Sequence, residues 1–246
     1  MDPQINRRFF SNPDVVLDYA RAAVNVGLWR SERMLIERYI PKAAKILELG
    51  AGAGRVSRGL ALLGYKDLTV SDFSELMIDF ARGVLADVPA GTQVCFAVED
   101  ATALSCGNEV YDAAIFAFNG LQMIPRRECR EQALKEIARV LKSQGILIFT
   151  GHDRLNPERR EYWERERKLW DCELRQKTLD DFGDYHHFTE KGEMFIHAAD
   201  PAEMRIALEK AGFEICYTAL RSEICEEPDN VKNFSDDTRF WVLRKK

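Results

Sequence analysis

The chain has 246 residues, of which 46% are hydrophobic and 30% charged, with a formal net charge of −5 at pH 7. This balance suits one large α/β domain. It argues against a nucleic-acid partner, because phosphate binding normally demands a basic face. The sequence holds no run of about 18 apolar residues able to span a membrane, and its first eight residues lack the apolar stretch of a secretory signal. Six cysteines (95, 106, 129, 172, 216 and 225) are scattered without a Cys-x-x-Cys pair. They read as reduced thiols of a cytoplasmic protein and provide no metal site.

Apolar residues recur at helical spacing in residues 13–25 (Val15, Val16, Tyr19, Ala22, Ala23) and 30–39 (Leu35, Ile36, Tyr39), with Pro41 closing the second segment. These form an N-terminal helical cap, residues 1–44. Its aromatic residues Tyr19 and Trp29 are candidates to cover a substrate, although aromatics in helices more often pack in a core. A short apolar strand from Ile46 to Leu49 follows. It contains Glu48 and runs into Gly50-Ala51-Gly52-Ala53-Gly54, after which a helical pattern resumes through Val56, Leu60 and Leu63. Alternating glycines let a ligand meet bare main chain, and the helix that follows aims its free N–H groups and positive dipole end at the same space. A dinucleotide loop would carry its third glycine where Arg55 stands.

A second strand ends at Asp72, twenty residues beyond Gly52. That is the separation expected of a carboxylate that receives both ribose hydroxyls from the neighbouring strand end; capping of the helix near Ser74 is the alternative role. A third strand, 93–98, ends in Glu99-Asp100-Ala101, and a fourth, 111–118, runs into Asn119-Gly120. A helix over 126–141 and a loop at 142–145 lead to a fifth strand, 146–150. Strand and helix alternate throughout, which implies a parallel sheet with helices on both faces and a ligand crevice beyond the carboxyl ends of its strands.

Residues 151–200 break this alternation. Asn156-Pro157 starts a helix expected to reach about Gln176, and its mixed Arg and Glu residues read as an ion-paired, solvated face. Two aromatic-rich strands around Glu190-Lys191-Gly192 read as a hairpin, so the segment is an α+β insertion expected to cover the substrate. A helix over 201–211, a sixth strand over 213–219 and a last strand over 239–244 complete the chain. Of four histidines, His152 stands two residues past the fifth strand and is the candidate general base. His186 and His187 point to opposite faces of a strand, so at most one, taken as His187, faces a substrate. His197 reads as structural.

The string Glu48-Leu-Gly-Ala-Gly-Ala-Gly, with Asp72, Asp100, Asn119 and the stretch Leu134 to Leu147 in order, resembles the class I S-adenosylmethionine-dependent methyltransferases. The resemblance covers 45–150 closely. It implies a Rossmann-like, doubly wound, mostly parallel seven-stranded sheet with an antiparallel last strand, in one domain: cap 1–44, cofactor-binding core 45–150, insertion 151–200 and sheet end 201–246. It further implies S-adenosyl-L-methionine as cofactor, S-adenosyl-L-homocysteine as product, and cofactor contacts at Glu48, Gly50, Ala51, Gly52, Asp72, Phe73, Met77, Asp100, Ala101 and Asn119. In this family Asp100 matches the acid that accepts the adenine amino group. No Asn-Pro-Pro-Tyr string follows the fourth strand and no Pro-Cys dipeptide occurs, which leaves methyl transfer to O, N or carboxylate of a small molecule as the expected reaction. A nicotinamide-dependent oxidoreductase and a non-catalytic S-adenosylmethionine-binding protein are the rival readings.

Overall fold

A computed structural model of the chain describes residues 2, 4–174 and 179–246. Its frame is a seven-stranded sheet in the order β3-β2-β1-β4-β5-β9-β8. The first five strands in chain order are β1 (Lys45–Glu48), β2 (Asp67–Asp72), β3 (Gln93–Val98), β4 (Tyr111–Phe116) and β5 (Leu141–Gly151), and they pair in parallel. Strands β8 (Phe213–Leu220) and β9 (Arg239–Lys245) close the edge, with β9 antiparallel to both β5 and β8. The Rossmann-like sheet expected from the sequence is the sheet observed.

Period-two alternation along the strands divides the core. Leu47, Ala114, Phe116, Leu147 and Phe149 face helices α6 (Arg127–Val140) and α8 (Pro201–Lys210). Ile46, Ala113, Ile115, Ile146 and Ile148 face α3 (Arg30–Tyr39) and α4 (Arg55–Leu62). Helix starts follow local chemistry. Asn12 accepts from the Asp14 amide ahead of α2 (Pro13–Asn25), and Asp200 accepts from the Ala202 amide ahead of α8, each with proline at the first turn. Ser74 caps α5 (Glu75–Val84).

Several boundaries differ from the sequence reading. Residues 142–145, expected as a loop, belong to β5 as an irregularity: register shifts between Tyr111 and Ala113, and the Lys142 ammonium pairs with Asp112 at 2.7 Å. Strand β4 stops at Phe116, because Phe118 and Asn119 adopt left-handed φ values of 51° and 64°. The helix expected to reach Gln176 is a short 3-10 turn, Pro157–Arg159, followed by α7 (Arg160–Asp171); residue 176 itself lies outside the described residues. A helix not foreseen, α1 (Ile5–Phe10), precedes the two expected cap helices.

That short helix is held by the insertion. The hairpin forms as expected from β6 (Asp184–Thr189) and β7 (Gly192–His197). The Asn6 side chain pairs with the Phe195 backbone as a neighbouring strand would, donating to its carbonyl at 2.9 Å and accepting from its amide at 2.8 Å. The same amide group donates to the Met123 carbonyl. Lys191 at the hairpin turn pairs with Asp18 of α2. At the hairpin's other end His197 is buried between Asp184 (2.7 Å) and Glu203 (3.0 Å), fixing the insertion to α8. Burial opposes charge on Glu203, yet His197 and Arg154 hold its pKa down to about 2.

Asn6→Ala should therefore destabilise the protein by about 1–3 kcal/mol, since it leaves buried backbone groups without partners. Urea unfolding measures the loss, and hydrogen exchange at the Phe195 amide should accelerate in the variant. Unchanged stability together with unchanged exchange would show that the hairpin does not depend on Asn6.

Candidate functional site

The carboxyl ends of β1, β2 and β4 and the loop after β3 open on one cavity of about 390 Å³. The first loop gives it Leu49, Gly50 and Gly52; β2 and the residue after it give Asp72 and Phe73; α5 gives Met77. Residues 99–102 and Phe116 to Phe118 line it further, and the cap closes it with Gln4, Asn6, Arg7, Phe10 and Tyr19.

Two glycines are required by this geometry. Gly50 has φ +55°, and a Cβ there would lie 2.7 Å from the Phe116 ring. Gly52 has φ +54°, and its Cβ would crowd the Tyr19 ring at 3.2 Å. Bare main chain at these points keeps the space between loop and cap open.

Asp72 is placed by the loop it faces. One carboxylate oxygen accepts from the Gly52 amide at 2.9 Å and the other from the Ser74 amide at 2.9 Å. Each oxygen keeps a further lone pair for a ligand. Burial pushes its pKa up to about 6, against the pull of the Ser74, Gly52 and Phe73 amides and the charge of Arg7. The two roles weighed for this residue are compatible: it steadies the start of α5, and it faces the cavity.

Asp100 also lines the cavity. Thr102 occupies one of its oxygens with both its amide (2.9 Å) and its hydroxyl (2.6 Å), and Arg7 meets the other at 2.5 Å. Burial raises the pKa of Asp100, but these donors outweigh burial and hold it below the ordinary carboxylate value. The Arg7 guanidinium lies over the Phe73 ring, 5.2 Å from its centroid.

Other expected site residues stand behind the wall. Ala51 and Glu48 border a narrow crevice next to the cavity, shared with Arg55 and Phe234. Glu48 accepts from the Ser57 amide at 2.8 Å and from its hydroxyl. Asn119 is buried behind Phe118 and Gly120, its amide nitrogen 3.1 Å from His152 Nε2, and its side-chain oxygen has no hydrogen-bond partner among the described residues.

Three further candidates stand away from the cavity altogether. His152 sits in a separate small pocket with Arg159, Tyr185 and Asp236. Burial pushes its pKa down to about 4 despite the nearby Asp236, so it is neutral at pH 7, and its Nε2 faces Asn119 rather than the cavity. Gln122 fixes it through its backbone amide and carbonyl. Trp29 is fully buried in the α3–α4 core, beneath the guanidiniums of Arg55 and Arg221. His187 lies on the exposed side of β6. No described residue of 151–200 lines the cavity; the insertion acts on it through α1. The sequence reading missed Asn6, Arg7 and Phe10, because a six-residue helix is too short for periodicity to reveal. Among the described residues no three His, Cys, Asp or Glu side chains cluster to hold a metal ion, and no helix is long and apolar enough to cross a membrane.

Glu48 gives this arrangement a pH signature. Burial raises its pKa from the ordinary 4.5 to about 7, only partly offset by Ser57 and Arg55. A carboxyl raised in the folded state contributes stability below the unfolded pKa and loses it as pH rises through the folded value. Glu48→Gln should thus gain stability relative to the parent chain between pH 5 and pH 8, by on the order of 2 kcal/mol. Denaturant unfolding at the two pH values checks this, and a difference that stays flat or runs the other way would refute it.

Residues 46–145 match the family model for the methyltransferase domain. YqeM of Bacillus subtilis strain 168, which carries a methyltransferase name, is 30% identical over 117 residues, 48% of this chain and 46% of its own length. The match thus spans about half of that relative. Solved structures share the fold. A SAM-dependent methyltransferase from Methanosarcina mazei has a TM-score of 0.68 at 23% identity, covering 86% of this chain and 96% of its own. The [4+2]-cyclase SpnF has a TM-score of 0.68 at 16% identity, covering 100% and 97%. The 1,6-didemethyltoxoflavin-N1-methyltransferase of Burkholderia thailandensis, solved with its substrate and S-adenosylhomocysteine, has a TM-score of 0.66 at 14% identity, covering 100% and 91%. Residues 46–145 thus match a methyltransferase domain, and the chain as a whole shares the fold of S-adenosylmethionine-dependent methyltransferases.

Proposed function

We propose that the chain transfers a methyl group from S-adenosyl-L-methionine to a nucleophilic atom of a small molecule. The observation that carries this reading is the tie between Asp72 and the Gly52 amide across the glycine loop, at the mouth of a cavity that also holds Asp100. Two acids on adjacent strand ends beside a bare loop match the polar ends of an adenosyl group. Asp72 accepts the ribose hydroxyls, Asp100 the adenine amino group, and Phe73 and Met77 pack on the purine. Gly50 and Gly52 leave main chain free along the methionine portion. Glu48 and Ala51 support this loop from beneath, Ala101 continues the purine wall, and Asn119 sets the course of the chain after β4.

Bound there, the cofactor supplies an electrophilic methyl group on a sulfonium. The protein's task is then to align and to exclude water. Holding a nucleophile in line can supply several kcal/mol, on the order of the 7–11 available to well-oriented intramolecular reactions. The cap performs the exclusion, with Phe10 and Tyr19 over the opening, and the insertion seats α1 in place. His152 serves in positioning: neutral and fixed by Gln122, it steadies Asn119 and so the strained turn at Phe118.

Two rival readings stand against this one. A dinucleotide enzyme requires glycine where Arg55 stands, and Arg55 is buried in a bidentate pair with Glu32 at 2.6 and 2.7 Å. The other rival is a non-catalytic S-adenosylmethionine-binding protein; release of S-adenosylhomocysteine during turnover on a metabolite library separates that reading from ours.

Asp72→Ala should weaken S-adenosylhomocysteine binding at least about tenfold, since losing a charged acceptor costs about 1.5–3 kcal/mol. Calorimetry on the folded variant tests it, and native affinity would remove Asp72 from the site. In the parent chain protonation of Asp72 competes with the ribose, so affinity should be flat above the carboxyl's pKa of about 6 and fall as pH drops below it. Affinity that rises on acidification would contradict the assignment.

A further inference from the structure

The charged residues on the cavity wall are unevenly placed. Among the described residues they are Arg7, Asp72, Glu99 and Asp100. The three acids stand at the ends of β2 and β3, on one side of β1 in the sheet order. The β4 side is walled by Phe116, Phe118, Met123, Ile124 and Pro125, with Tyr19 reaching across to Phe118 at a ring distance of 6.0 Å.

The polar groups near that wall are already engaged or neutral. The Asn6 side chain is used by Phe195 and Met123. Arg7, the one cation on the described wall, pairs with Asp100 at 2.5 Å and lies over Phe73. Burial drives the Tyr19 phenol well above its ordinary pKa, so it stays protonated. No described lysine or histidine lines the cavity. A carboxylate or phosphate placed against this wall would be buried without a partner, which is strongly unfavourable. Proton removal ahead of attack would find only the Cys129 thiol there, with no histidine, lysine or carboxylate on that wall beside it.

We propose that the methyl acceptor is an uncharged, largely aromatic small molecule that attacks through a lone pair it already carries, as on a ring nitrogen or a neutral amine. This rests on the methyl-transfer reading and narrows it, setting aside carboxylate acceptors. The acceptor's lone pair forms the new N–CH₃ bond while the S–CH₃ bond breaks and its electron pair stays on sulfur. The positive charge passes to the acceptor, which, where it bore an N–H, releases that proton to water after transfer.

The test uses protein saturated with S-adenosylhomocysteine and three probes on one ring: 6-aminoquinoline, quinoline-6-methanol and quinoline-6-carboxylate. Calorimetry should show the two neutral probes binding, and the carboxylate binding at least about tenfold more weakly. Ile124→Lys, which places a cation in the wall, should narrow or reverse that ratio; Pro125→Lys takes its place if the first variant no longer binds S-adenosylhomocysteine. A carboxylate that binds as tightly as the neutral probes, failure of all three to bind, or a ratio unmoved by the new lysine would each overturn the proposal. Failure of S-adenosylhomocysteine itself to bind the parent chain, read in the first titration, would instead count against the methyl-transfer reading.

Discussion

One hydrogen bond organises the site: the Gly52 amide donating to Asp72 at 2.9 Å. It ties the loop after β1 to the end of β2, and glycine at 52 lets the loop take the left-handed φ of +54° under the Tyr19 ring that this tie accompanies. The Ala51 amide reinforces the tie by donating to the Ser71 carbonyl at 2.9 Å. Together these bonds fix the distance between the loop and the neighbouring strand, and hence the width of the cavity. Burying Asp72 raises its pKa to about 6, so its charge at neutral pH depends on the amides that face it. The carboxylate that holds the loop is thus also the one the loop keeps ionised.

The rest of the structure supports this contact in layers. Glu48 lies beneath the loop and holds the first turn of α4 through Ser57. Arg55 in that same turn is locked by Glu32 and by the face of Trp29, 4.8 Å from its centroid. Tyr19, from the cap, touches the loop at Gly52 and the β4 turn at Phe118. Position 55 therefore carries a large charged side chain that anchors the loop to the cap, where a dinucleotide-binding loop would need a glycine for close helix–strand packing. The departure from the dinucleotide pattern has a structural consequence: the loop is built around the cap, and the cap closes the cavity.

Much of this was legible in the sequence, and the physical reasons are specific. Strand ends are marked by abrupt changes from apolar runs to glycine or acid, so Gly50, Gly52, Asp72 and Asp100 could be assigned to one crevice. Spacing alone located Asp72. Side-chain direction was not legible. Asn119 and His152 follow β4 and β5 at the carboxyl end of the sheet, yet left-handed backbone at Phe118 and Asn119 turns Asn119 behind the wall, and it draws His152 with it. Trp29 shows the same limit: helical spacing places it on a helix start, but only tertiary packing decides that its ring lies under two guanidiniums. The contribution of α1 was hidden because one and a half turns of helix are stabilised by Asn6 meeting a strand 189 residues away.

That long-range contact determines how the insertion participates. Residues 151–200 were expected to cover the substrate directly, but no described residue of them lines the cavity; their hairpin bears on it from outside, through α1, through Asp18 of α2 and through the turn at Gly120–Met123. The link to α1 is backbone on one side and a single amide side chain on the other, so it fixes position without adding charge to the wall. Arg7, one residue along, then places its guanidinium on Asp100 and Phe73. Charge in the cavity is concentrated at the ends of β2 and β3, and the wall on the β4 side is apolar. The insertion thus holds the cap and the turn after β4 without contributing a single described side chain to the cavity, and aromatic residues within it pack on one another: Trp163 meets Phe182 and Tyr185 edge-on at ring distances of 5.8 and 5.9 Å.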